Sequence, residues 1–211
     1  MSHNKEYASD NDKNIALYTS LLREHGRNFK ALDWGSKTSQ ELRFKVISEV
    51  GVENGSSVLD VGCGLGDFCD WFIKKGIIVK YTGIDVTPDM IHYATERYPA
   101  VEFLVGSGCD IFLNKKSYFD FVTASGIFAH RQENPLGFLK KTVQDMYDIS
   151  TKGIAFNCLS NLHSNKDLNE FYADPLEIIK FCQSLSNSII FRHDYHHGDF
   201  TIYLYKQDAE I

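Results

Sequence analysis

The chain has 211 residues, 43% of them hydrophobic, and a formal net charge of -6 from 22 Lys and Arg against 28 Asp and Glu. That length suits one domain with a full core. No apolar run approaches the roughly 18 residues of a membrane span. The basic residues form only isolated pairs, Lys115-Lys116 and Lys140-Lys141, which argues against a nucleic acid partner because such partners usually meet a basic face. Five cysteines, at 63, 69, 109, 158 and 182, include no C-x-x-C pair. They give neither a zinc pattern nor a disulfide framework, and no metal is expected. The polar start, Met1-Ser-His-Asn-Lys-Glu-Tyr7, has no signal-peptide apolar region, so the expected compartment is the cytoplasm.

In chain order, a first helix is predicted over 12–25, with Ile15, Tyr18 and Leu22 on one stripe and Gly26 closing it. A loop through Trp34-Gly35-Ser36 follows. A second helix is predicted to start at a capping box, Thr38-x-x-Glu41, and to stop before Gly51. Strands and helices then alternate. Strands are read near 57–61, 78–84, 101–105, 119–124 and 153–158, and helices over 67–75, 88–97, 134–149 and 174–185. Thr87 before Pro88 and Asp174 before Pro175 are N-cap and first-turn signals. The chain ends in a predicted hairpin of Ile189–Tyr195, a His-His-Gly-Asp turn, and Phe200–Tyr205. Near-continuous apolar strands separated by helices predict an α/β fold with a mostly parallel sheet covered on both faces. Residues 55–211 form its core. Residues 1–50 have no place in the sheet and are expected to cover its carboxyl edge as a helical lid, within one domain spanning 1–211.

The strand Val58-Leu-Asp-Val runs into Gly62-Cys-Gly-Leu-Gly66, and a second strand ends in Ile84-Asp85. Glycines let backbone approach a ligand closely, and an acid at the end of the second strand is placed to accept two ribose hydroxyls. The spacing is G-x-G-x-G, and Asp67 stands where a dinucleotide fingerprint has its third glycine. An acid at the first turn of a helix repels a pyrophosphate, so a cofactor without phosphate fits better. The loop from Asp60 to Gly66 resembles motif I of the class I S-adenosylmethionine-dependent methyltransferases, and Asp85 their ribose-binding acid. The resemblance is good over roughly residues 55–130 and implies a Rossmann-like seven-stranded sheet whose last strand is reversed.

The resemblance implies a cofactor site for S-adenosyl-L-methionine, which becomes S-adenosyl-L-homocysteine. Gly62 and Gly64 pass close to the methionine half, with Cys63 as a small residue in the crowded turn. Asp60 orients either the loop or the amino group. Val86 and Met90 follow Asp85 on the same edge. An acid that bonds the adenine amino group is usual after the third strand. Here the loop reads Gly106-Ser-Gly-Cys-Asp110, and either Ser107 or Asp110 takes that role, with Gly108 and Cys109 between them. Ser125 and Gly126 end the fourth strand, beneath the sulfonium. Arg43 shares the buried stripe of Val46, Ile47 and Val50, and a buried guanidinium needs a carboxylate. The cofactor carboxylate is one candidate, and Asp60 or Asp67 the other. Trp34 either closes over the cofactor or, the favoured reading, plugs the core.

His130 is the first candidate for a general base, since histidine titrates near neutrality; the alternative is a solvent-exposed loop residue beside Arg131. His196 and His197 in the hairpin turn are further candidates. The expected activity is methyl transfer to an oxygen, nitrogen or carboxylate of a small molecule. The Asn/Asp-Pro-Pro-Tyr/Phe signature of amino-group methylases is absent. A protein or RNA acceptor, and a non-catalytic S-adenosylmethionine-binding regulator, are the alternatives.

Overall fold

The computed structural model describes residues 8–107, 112, 118–130 and 132–206. Helix α1 runs Ala8–His25, a short 3-10 turn spans Phe29–Leu32, and α2 spans Lys37–Ser48. Then follow β1 (Ser57–Val61), α3 (Asp67–Lys75), β2 (Lys80–Asp85), α4 (Pro88–Arg97), β3 (Glu102–Val105) and β4 (Phe119–Ala124). The chain finishes with α5 (Pro135–Ile149), β5 (Ser150–Leu159), α6 (Pro175–Gln183), β6 (Ile189–Arg192) and β7 (Asp199–Tyr205). The seven strands form one sheet in the order β3-β2-β1-β4-β5-β7-β6. β1 pairs in parallel with β2 and β4, β4 with β5, and β2 with β3, while β7 runs antiparallel to β5 and β6. After β3 the chain crosses back to the far side of β1, so the switch point lies between β1 and β4, and ligands bind beyond the carboxyl ends at such a point.

Helices cover both faces because the strands are apolar on both. Leu139, Val143, Met146 and Ile149 of α5 and Ile178 of α6 pack on one side with Val122, Ile154 and Phe156. Phe44 and Ile47 of α2, Val50 just after it, and Phe68, Trp71 and Phe72 of α3 pack on the other with Tyr81, Phe121 and Tyr203. Among the described residues no helix is long and apolar enough to cross a membrane.

Two capping expectations are corrected. The second helix does not start at a Thr38–Glu41 box. Ser36 is the cap, accepting from Ser39 N at 3.0 Å, so the helix begins two residues earlier than that box requires. At α4, Thr87 holds the cap position but its hydroxyl makes no cap bond. Asp85 Oδ1 accepts from Thr87 N at 2.8 Å instead. Asp174 caps α6 as expected, accepting from Leu176 N at 2.9 Å.

Candidate active site

A cavity of about 280 Å³ opens at the carboxyl edge, above the glycine turn. β1 delivers Asp60, Gly62, Cys63 and Gly64 to it, and β2 delivers Asp85 and Val86. Met90 comes from α4, and Ser125 and Gly126 from the end of β4. α1 and the segment after it supply Tyr18 and Trp34, and α2 supplies Arg43.

The glycines are required by conformation. Gly62 has φ +76° and Gly64 φ +51°, values that favour glycine. A Cβ on Gly62 would strike Ile127 Cγ2, and one on Gly64 would meet Leu32. Asp85 locks this turn, since its Oδ2 accepts from Gly64 N at 2.9 Å while Oδ1 holds Thr87 N. A carboxylate has about four lone-pair sites, so both oxygens keep capacity for a ligand. Burial raises the Asp85 pKa, while the backbone donors at Thr87 and Gly64 pull it down.

Asp60 is buried beneath the turn. Tyr81 donates its hydroxyl to Oδ2 at 2.5 Å, and Thr123 Oγ1 lies 3.4 Å from Oδ1. Burial pushes its carboxyl from 3.8 up to about 7, against those two hydrogen bonds. The folded chain therefore holds a proton over that interval that the unfolded chain releases, and stability falls as pH rises from 3.8 to about 7. Asp60→Asn, which cannot ionise, is expected to flatten this dependence. Thermal melts below and above the interval would check it, and a variant with the wild-type slope would assign the dependence to other groups.

The partner of Arg43 is neither of the sequence-based carboxylates. Its Nε donates to Asp199 Oδ2 at the start of β7, and Nη1 donates to the carbonyl and hydroxyl of Ser39. Asp67 is taken instead by Arg97 at 2.9 Å and Gln40 at 3.1 Å. Asp199 also accepts from Asn157 Nδ2 at 3.3 Å, and Asn157 Oδ1 accepts from Gly126 N at 2.9 Å. One polar chain thus ties α2, β7 and β5 to the end of β4. Asp199 and Asn157 line the cavity but escaped the sequence reading, because their roles depend on pairings far along the chain. Trp34 is no core plug: it is half-buried in the cavity wall. A Cβ on Gly126 would run into its ring, and its ring centroid lies 5.2 Å from the Arg43 guanidinium.

His130 lines the cavity and is half-buried, not a solvent-exposed loop residue. Its Nε2 lies 2.7 Å from the Tyr18 hydroxyl, with the rings edge to face. Burial, then Asp85 and Asp33, raise the Tyr18 pKa and keep the phenol protonated. Asp10 Oδ2 accepts from Glu133 N at 3.1 Å, giving α1 a second tie to the segment after β4.

His196 and His197 reach the same edge but do not line the cavity. His196 stacks on His197 with ring centroids 5.0 Å apart, and His197 stacks on His163 at 5.4 Å. His196 Nδ1 accepts from Gly198 N at 3.1 Å. Burial, then the charge of Arg43, lower its pKa. Their assignment to the acceptor pocket is corrected accordingly: the turn aims the rings at one another. Ser107 lines the cavity; Gly108, Cys109 and Asp110 lie outside the described residues. Among the described residues no group of three His, Cys, Asp or Glu is arranged to hold a metal ion.

A family described as a methyltransferase domain matches residues 58–153. Rv1506c of Mycobacterium tuberculosis, named as a methyltransferase, is 30% identical over 160 residues, covering 71% of this chain and 93% of the relative. The trans-aconitate 2-methyltransferase of Rhodopseudomonas palustris is 30% identical over 81 residues, only 34% of this chain and 31% of that enzyme. Among solved structures, the DhpI–SAH complex superposes with a TM-score of 0.63 at 16% identity, over 95% of this chain and 98% of that one. The chain belongs to the class I S-adenosylmethionine-dependent methyltransferases. It is an S-adenosylmethionine-dependent methyltransferase, and its cofactor is S-adenosylmethionine.

The residues present fit that cofactor. The glycine turn leaves open backbone where side chains would intrude, Asp85 keeps free lone pairs at a ribose position, and the Ser125 hydroxyl is buried in the cavity wall with no partner among the described residues. Arg43 lines the same cavity with its charge met by Asp199.

Proposed function

We propose that the enzyme methylates an oxygen, nitrogen or carboxylate of a small molecule. The observation that carries this reading is the shared wall. One cavity runs from the glycine turn to the Tyr18–His130 pair, with α1 contributing to its lining. The bound cofactor supplies the methyl electrophile and the leaving group. The chain's own residues hold the acceptor in line and keep water out. The Tyr18–His130 pair receives a proton where the acceptor carries one. The trans-aconitate relative acts, by its name, on a small molecule, which agrees with this reading.

The test uses extracts split by ultrafiltration and offered to the enzyme with S-adenosylmethionine. The low-molecular-weight filtrate is expected to support S-adenosylhomocysteine release, with one compound gaining the mass of a methyl group. Release confined to the retained protein or RNA fraction would overturn the small-molecule assignment.

A further inference from the structure

The wall around the Tyr18–His130 pair is rich in carboxamides. Asn11, Asn14 and Tyr18 lie at i, i+3 and i+7 on α1, so they share one face. Gln132 joins them from the segment after β4 and Glu170 from the segment after β5. Gln132 Oε1 is buried with no partner among the described residues. Asn11 and Asn14 are half-buried in the same wall. Buried polar groups normally find partners, so the Gln132 oxygen is open to a ligand, with Asn11 and Asn14 beside it.

Their chemistry says which ligand. A carboxamide presents donors and an acceptor together, and a hydroxyl does the same, whereas an ammonium only donates and a carboxylate only accepts. Arg43 is the one Lys or Arg among the described lining residues, and Asp199 neutralises it. Glu170 adds negative charge, so a phosphate or carboxylate acceptor would meet repulsion. Phe138 lines the same cavity and offers an apolar surface to the ring carbons of such a ligand.

We propose that the acceptor is an uncharged polyhydroxylated molecule, a sugar ring or a cyclitol, methylated on one hydroxyl. This rests on the small-molecule reading above. In the step, the hydroxyl oxygen bonds to the methyl carbon as the carbon–sulfur bond breaks, leaving its electron pair on sulfur. The hydroxyl proton passes to the Tyr18–His130 pair. The amides around it grip the neighbouring hydroxyls, and a site built this way rejects analogues that lack them.

The test offers the full chain methyl glucopyranoside, methyl rhamnopyranoside and myo-inositol, alongside trans-aconitate, phosphoethanolamine and benzylamine, and follows S-adenosylhomocysteine release. Saturation-transfer NMR with S-adenosylhomocysteine bound reads polyol contact independently of turnover. At least one polyol is expected to be methylated or to show contact. For that polyol, Asn14→Leu and Gln132→Leu should each raise KM or weaken contact by about tenfold or more, with S-adenosylhomocysteine affinity kept. Methylation of a charged probe with no polyol turned over or in contact would overturn the proposal, as would polyol turnover or contact that neither variant weakens. Absence of both polyol turnover and polyol contact would overturn it too. Failure to bind S-adenosylhomocysteine at all would instead strike the methyltransferase reading underneath.

Discussion

Asp85→Ala is expected to weaken S-adenosylhomocysteine binding by about 10²–10⁴. A ribose would give this carboxylate two charge-assisted hydrogen bonds, each contributing about 1.5–3 kcal/mol, and roughly 1.4 kcal/mol is a factor of ten in affinity. The loss has a second source. The same side chain holds Gly64 N and Thr87 N, so its removal frees the glycine turn and the start of α4 together. Asp85→Asn separates the two contributions, since its one carbonyl oxygen can keep a backbone bond while the charge is gone. Calorimetry would measure the affinities, with thermal melts to confirm folding. Unchanged binding by Asp85→Ala would mean the cofactor lies elsewhere on this edge.

His130→Ala is expected to cut turnover by about 10²–10⁴ on an acceptor that must lose a proton, with cofactor affinity kept. Tyr18→Phe keeps the ring against His130 but removes its 2.7 Å partner. It should lower kcat and change the pH–rate profile, which a packing role would not do. His196→Ala and His197→Ala serve as controls. Their rings are stacked outside the cavity, and their turnover should stay near wild type. Losses below about threefold for both His130→Ala and Tyr18→Phe would leave the rate to positioning alone, and the pair would be a contact that docks α1.

The legible parts of the fold were those set by short stretches of chain. The strands at 57–61 and 119–124 and the helices at 67–75 and 88–97 match the observed limits, because the strands are short apolar runs and the helices amphipathic stretches, one set between Gly66 and Gly76 and the other opened by Pro88. The reversed β7 was legible from the terminal hairpin. One boundary slipped where two polar residues competed for a cap. At α2, Ser36 and Thr38 are both good N-caps, and the Trp34-Gly35 approach places Ser36 against the open amides.

Within the site, residues tied to the glycine turn were legible, since G-x-G-x-G and the following acid constrain one another locally. Charge partners were not. A buried Arg43 demands a carboxylate by elementary electrostatics, but several acids satisfied that demand on paper. Asp199, 156 residues away, was selected only when β7 came to lie beside β5, above the end of α2. Tyr18 read as one more apolar stripe residue until α1 folded over the β4 end, 112 residues on. The hairpin histidines reached the predicted edge, yet the turn stacked His196 on His197 and His197 on His163. By itself the sequence determined the order of strands and helices, the nucleotide turn and its acid, because these follow from neighbours a few residues apart. Only the tertiary structure decided which carboxylate neutralises Arg43, which histidine faces the cavity and which amides line it, because those depend on how distant segments cross at the sheet's carboxyl edge.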